Sequence, residues 1–371
     1  MILENIRKIF VLGDLHLGVR NNSVEWSDIQ TDFLLDFFLK RVDEEGFDPD
    51  RDILVQTGDW NHVRESTNVR IQDISQEIAR QLCQKFKRGV YFFLGNHDVY
   101  YKDRIDVHSL KGYDIMYPNF HIFETPEILQ INSHKFLILP WIENVAELKE
   151  AVRVNSAADY IFCHADVQGF SLNRATKLTH GLDSDDLKSF KRVYSGHIHI
   201  RQDKNNVLYV GTPYEMDRGD RGNAKGFYVL YADSEDTIIE KFIENTVSPR
   251  HLKFDITDLL NFNTQQLRDL VKNNFVDVTI ESSFSLRFPI TKFTELIKDA
   301  GCRRLEFFSY TRDQLQSKSD IETDSNYEYN IFTILDAKIK EANYAPDIST
   351  QVVDSFKKIY DNLKNNKSYE Q

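Results

Sequence analysis

Three apolar runs in the first hundred residues, IFVLGD, ILVQTGD and VYFFLGNHD, each break off at a glycine followed by an acid or an amide. Runs this short and this apolar read as strands covered on both faces. Between them lie helical patterns. Ile29, Phe33, Leu34, Phe37 and Phe38 fall on one face, and over residues 66–87 Val69, Ile71, Ile74, Ile78 and Leu82 recur three to four apart. Strand, helix and strand in this rhythm predict a parallel sheet with right-handed crossovers. That constraint reaches beyond fold, because parallel strands deliver their carboxyl ends to one edge, where α/β proteins bind ligands.

The texture changes near residue 120. EILQI-NS-HKFLILPW predicts an antiparallel hairpin around Asn132-Ser133, and short strands follow at DYIFCHAD, RVYSGHIH, VLYVGTP and GFYVLYAD. A two-layer α/β sandwich over residues 1–248 fits this order. A second unit, 249–313, holds the strand FVDVTIES, the helix ITKFTELIKDAG stopped by Gly301, and the strand RRLEFFSY. Residues 314–329 are polar and read as a linker. Residues 330–371 carry two amphipathic helical patterns broken at Ala345-Pro346. A short helical hairpin beyond a linker cannot bury its apolar face alone, so this tail is expected to dock on a partner.

Composition sets wide bounds. At 371 residues, 41% hydrophobic and 28% charged, the chain has room for about two to three ordinary globular domains. Its net charge of −12 argues against holding nucleic acid through a global field, though divalent cations and local basic patches can replace one. No apolar stretch is long enough to span a membrane and no signal-peptide layout precedes the first strand, so a cytoplasmic location without membrane contact is expected. Cys83, Cys163 and Cys302 are scattered, which supports neither a disulfide framework nor a thiolate zinc site.

The chemistry lies where strands stop. Five ends read Gly13-Asp14-Leu15-His16, Gly58-Asp59, Gly95-Asn96-His97-Asp98, His164 and Gly196-His197-Ile198-His199. One aspartate or histidine there is an ordinary turn or cap residue. Asp14, His16, Asp59, Asn96, His97, His164, His197 and His199 on five such ends are a constellation. Leaving His97 aside, they are the oxygen and imidazole donors that Mn²⁺, Fe²⁺ or Zn²⁺ prefer. The D-x-H and H-x-H spacings put residues i and i+2 on one side of extended chain, so each pair can reach one ion.

These motifs, as GDLHLG, GDWNH, LGNHD, YSGHIH and YVGTP, resemble the calcineurin-like metallophosphoesterases, and within them the SbcD-type nucleases of double-strand-break repair. The layout is similar to phage-encoded members. The specific motifs cover residues 6–232. The resemblance implies a two-sheet α/β sandwich, a small α+β domain capping duplex DNA (249–313) and a helical tail binding an SbcC-type ATPase. It implies two divalent metals, Mn²⁺ foremost with Mg²⁺ or Fe²⁺ possible, bridged by Asp59. Asp14, His16 and His199 would complete one site, and Asn96, His164 and His197 the other. His97 would act on the phosphate as a catalyst, and His62 in GDWNH would position the DNA end. Asp98 is expected to orient its loop, and His108, His121, His134, His180 and His251 to be structural. Arg64, Arg70, Lys102, Arg104, Arg201, Arg218 and Arg221 could contact phosphates. A homodimer through helices at 66–87 and about 103–113 is implied, with double-stranded DNA ends and single-stranded DNA as substrates for 3′→5′ exonuclease and endonuclease cleavage. The alternative is a phosphoesterase acting on small phosphodiesters or phosphoproteins. Protein phosphatases of the superfamily read GD-x-x-DRG and GNHE, whereas this chain reads GDWNHVRE and GNHD.

Overall fold

The computed structural model describes residues 1–173, 176–232, 237–285 and 289–310. All of them belong to one compact unit, Met1–Asp320. The expected linker (314–329) and tail (330–371) lie outside the described residues.

Strands run β1 (Ile2–Leu3), β2 (Lys8–Leu12), β3 (Asp52–Gln56), β4 (Val90–Phe93), β5 (Phe120–Phe123), β6 (Glu127–Ile131), β7 (His134–Leu139) and β8 (Tyr160–His164). They continue as β9 (Arg192–Gly196), β10 (Gln202–Lys204), β11 (Val207–Tyr209), β12 (Gly226–Tyr231) and β13 (Ile239–Glu244). One sheet has the order β13-β12-β2-β3-β4-β5 and the other β1-β6-β7-β8-β9-β11-β10. Within them β2-β3-β4-β5 and β7-β8-β9-β11 are parallel, and for β2, β3 and β4 the rhythm of the sequence predicts it. The hairpin β6–β7 turns at Asn132, whose φ of 53° suits the left-handed region.

Alternation sorts these strands into layers. Ile9, Val11, Ile53, Val55, Tyr91 and Phe93 face Phe136, Ile138, Phe162 and Tyr194 of the second sheet, forming the core between the sheets. Phe10, Leu12, Leu54 and Phe92 point the other way, onto Phe33, Phe38, Ile78 and Leu82 of the flanking helices. The second sheet buries Leu137, Leu139, Ile161 and Val193 against Leu148 and Val152. Helices thus cover both outer faces, and both sheets present strand ends to one side.

Two local expectations change. The helix Val69–Lys85 begins with Val69 81% exposed rather than buried. Its N-cap Asn68 accepts from the amides of Arg70 and Ile71, and the buried face starts at Ile71, continuing through Ser75, Ile78, Ala79 and Leu82. Residues 103–112 are not helical. The chain folds back there, with the Tyr100 amide donating to Val107 and Ser109 to the carbonyl of Asp98, and only Tyr113–Met116 forms a helical turn.

Beyond the sandwich, β14 (His251–Asp255), β15 (Phe275–Glu281) and β16 (Arg304–Tyr310) form a parallel sheet in that order. The helices Thr264–Val271 and Ile290–Asp299 close its core around Val276, Val278 and Ile280. Gly301, at φ 87°, ends the second helix as the sequence predicts. This small sheet is seated by a stack of Trp26 on Phe275 (5.7 Å, 15°) and by Arg218 and Arg221, which both reach Asp277.

Candidate metal centre

All five strand ends, four of them flanked by glycine, converge. Asp14 and His16 follow β2, Asp59 follows β3, Asn96 and His97 follow β4, His164 closes β8, and His197 and His199 follow β9. Three of them need unusual backbone: His16, Asp59 and His197 have φ of 49°, 54° and 84°. Strain of this kind collects where a side chain must be aimed rather than merely packed. Gly95 is required by closeness. A Cβ there would meet Asp59 Oδ1 at 2.2 Å, its amide nitrogen at 2.4 Å and His164 Cε1 at 2.8 Å.

Two donor groups emerge around Asp59. The Nε2 atoms of His16 and His199 lie 2.9 Å apart, and His16 Nε2 is 3.6 Å from Asp59 Oδ2. Asp14, His16 and His199 place one ligand atom each within 4.8 Å of the others. On the other side His164 Nε2 lies 3.4 Å from Asp59 Oδ2 and 2.9 Å from Asn96 Oδ1, while His197 Nδ1 lies 3.0 Å from the same Asn96 oxygen. His164 donates Nδ1–H to the carbonyl of Thr57 at 2.8 Å, which fixes its tautomer and leaves Nε2 facing inward. Converging lone pairs of this kind suit cations.

Electrostatics agree. Asp14 and Asp59 are both buried, and burial together with Asp59 pushes Asp14 up to about 8 despite His164 nearby. Asp59 also resists burial, but His164, His16 and His97 around it hold its carboxyl well below the usual range. Burial opposes a proton on His164, yet Asp59 and Asp14 raise it to about 9. A pair of buried carboxylates ringed by imidazoles is short of positive charge, and divalent ions fit that donor set.

His97 and His62 form a separate lip. Their rings stack at 5.3 Å and 15°, and His97 donates Nδ1–H to the His62 carbonyl at 2.7 Å, leaving Nε2 available. His62 Nδ1 is 3.3 Å from His16 Nδ1, and burial, then His97 and His199, lower His62 to about 4. These two also form a cluster with His16 that could take an ion. Asp98 binds no donor group of the centre. Its carboxylate accepts from the amides of Asp59, Gly95, Trp60 and Asn61 and so orders the loops, as the sequence suggests.

Some expectations fail. Arg70 donates to Ser27 and to the carbonyls of Asn22 and Ser23, and Arg201 to Ala224 and Tyr228 while covering the Phe242 ring. Arg218 and Arg221 are committed to Asp277. These four hold the fold, and Arg104 pairs with Asp106 over the Tyr101 ring, which leaves Arg64 and Lys102 near the loops of His62 and His97. Two residues of the site were missed. Asp166 stands between His197 Nε2 (2.9 Å) and His180 Nε2 (3.1 Å), and the Trp141 ring lies 5.0 Å from that of His197. Asp166 lies two residues past His164, a weak signal. His108, His121 and His251 are structural as expected, against Glu124, Tyr91 and Phe275.

Residues 7–219 match the calcineurin-like phosphoesterase family. The chain belongs to that family. It is therefore a phosphoesterase, a hydrolase that works with divalent metals, and the clusters just described could hold such ions. Among curated proteins, this member is 30% identical over 281 residues to exonuclease subunit 1 of Enterobacteria phage T4, covering 72% of this chain and 78% of that one. Among solved structures, a 5′-nucleotidase from Staphylococcus aureus matches with a TM-score of 0.36 at 15% identity. That match covers 64% of this phosphoesterase and 53% of the nucleotidase, and it is too loose to carry an argument. No helix among the described residues is long and apolar enough to cross a membrane.

Proposed function

We propose that this phosphoesterase is a Mn²⁺-dependent DNA nuclease, with 3′→5′ exonuclease and endonuclease activity, that trims DNA ends together with an SbcC-type ATPase. The observation that carries the reading is the 30% identity, over most of both chains, to a protein named as an exonuclease subunit. The word subunit supports an ATPase partner, for which the tail at 330–371 is the proposed dock and residues 249–313 the cap over duplex DNA. Val69, 81% exposed at the start of the helix Val69–Lys85, supports a homodimer through that helix.

Asp14, His16 and His199 would hold one metal, Asn96, His164 and His197 the second, with Asp59 shared. Bound there, the metals supply Lewis-acid activation of water and of the scissile phosphate. The chain's own residues do the rest. Thr57 and Asp98 hold His164 and Asp59 in place, the former through the His164 Nδ1–H and the latter through the Asp59 amide. With Nδ1–H engaged by the His62 carbonyl, the imidazolium form of His97 would point its Nε2–H at the developing charge and give that proton to the leaving 3′ oxygen.

Linear duplex DNA with Mn²⁺ should be degraded and EDTA should stop the reaction. Run beside an aryl phosphodiester, the assay separates the readings: turnover of the aryl ester with intact DNA would favour a small-substrate phosphoesterase. Full activity in EDTA would sink the metal mechanism.

A further inference from the structure

A buried ion pair lies behind the metal edge and takes no part in the reaction described above. Lys225 is 5% exposed and Asp220 2%. The three protons of the Lys225 ammonium are all spoken for: Nζ donates to the His199 carbonyl at 2.6 Å, to Thr212 Oγ1 at 3.0 Å and to Asp220 Oδ1 at 2.6 Å. Asp220 in turn accepts the Met216 amide on its other oxygen at 2.9 Å.

Burying a cation and an anion costs several kcal/mol before their attraction returns it, and an apolar pair of similar volume often serves stability as well. Such a pair is better explained by what it fixes. Here it fixes one backbone carbonyl. His199 O also accepts the Thr212 amide at 3.1 Å, so the carbonyl is gripped from two sides. On the opposite side of the same residue, the half-buried His199 ring places its Nε2 2.9 Å from His16 Nε2. His199 has no regular strand around it, since β9 ends at Gly196 and β10 begins at Gln202. The clamp supplies the rigidity that a ladder would give elsewhere.

We propose that Lys225 and Asp220 are positioning residues for His199, a buried strut that pins its backbone so that the imidazole stays aimed at the metal edge. The proposal rests on the reading of His199 as a metal ligand. Partners that orient a ligand typically change metal affinity about 10–100-fold when removed.

The test is a calorimetric Mn²⁺ titration of the full chain, with the rise in Tm on adding Mn²⁺ as second readout. Four proteins are compared: the parent, Lys225→Met, the double variant Asp220→Asn with Lys225→Met, and His199→Ala. Lys225→Met should leave one of two sites at parental affinity and weaken the other about 10–100-fold, with a smaller Mn²⁺-induced rise in Tm. The double variant carries no unpaired buried charge, so it keeps the test alive if Lys225→Met folds poorly, and it should show the same weakened site. A residue that merely stabilises the fold would lower Tm in both buffers and leave the isotherm alone. Two parental sites in both lysine variants, with one lost in His199→Ala, would overturn the strut. Two parental sites in His199→Ala would instead overturn the ligand reading beneath it.

Discussion

His97→Ser lowers DNA cleavage by about 10²–10⁴-fold while leaving the metal content unchanged. The two halves of that expectation have separate physical sources. His97 contributes to Asp59 through its backbone, whose amide donates to Asp59 Oδ1 at 2.8 Å, and serine keeps that bond. The shared carboxylate therefore stays oriented. What serine removes is the imidazole, whose Nδ1–H is tied to the His62 carbonyl and whose Nε2 is the only ring atom left to meet a phosphate. A general acid is needed most when the leaving group is a poor one. The same variant should then cleave an aryl phosphodiester, whose leaving oxygen needs no proton, with a much smaller loss than it shows on DNA. Inductively coupled plasma mass spectrometry on the dialysed variant, beside both rate assays, decides the matter. Loss of bound metal would make His97 a ligand, in line with its cluster with His16 and His62. Equal losses on both substrates would remove the proton-transfer role and leave charge stabilisation.

Much of this centre was legible because strand ends are the part of an α/β fold that sequence reports best. An apolar run has a visible stop, and the residue after it has nowhere to go but the edge. The converse holds for what was missed. Asp166 and Lys225 act from the loops after β8 and before β12, where no periodicity predicts which way a side chain turns. Arg218 and Arg221 follow a metal motif in sequence, yet their guanidinium groups turn away to Asp277 on β15, a contact spanning more than fifty residues that no local pattern encodes. The strand β14 escaped notice because HLKFD is only partly buried and lacks the apolar run of β2 to β4. Helical spacing over Ile29–Phe38 did survive, although Asp32–Phe38 is wound as a π-helix, since Phe33, Leu34, Phe37 and Phe38 still face inward. Periodicity tolerates a change of winding better than it locates a loop.

Asp98→Ala should cost about 4 kcal/mol or more of stability and empty the centre of metal, although Asp98 contacts no donor atom assigned to a metal. Its carboxylate is buried and accepts four backbone amides: Asp59 at 2.7 Å, Gly95 at 2.9 Å, Trp60 at 3.0 Å and Asn61 at 3.3 Å. Alanine strands all four. A buried amide without an acceptor costs about 1–3 kcal/mol, and four sharing one partner fall short of additivity because the loops relax together. Relaxation is what the centre cannot afford. Asp59 is held at φ 54° between two of those amides, so a loop that eases into an ordinary conformation turns the shared carboxylate away. Burial and the charge of Asp59 push Asp98 up to about 7, so its amides offset only part of the cost of the buried anion. Asp98→Asn discriminates charge from acceptor count. Its one carbonyl oxygen can still serve two amides while its NH₂ faces the other two, so the loss should be intermediate. Urea unfolding in EDTA measures stability without metal linkage, and Mn²⁺ titration measures the centre. An alanine variant within about 1 kcal/mol of the parent, with both metals bound, would show that water satisfies these amides and that Asp98 is dispensable to the site.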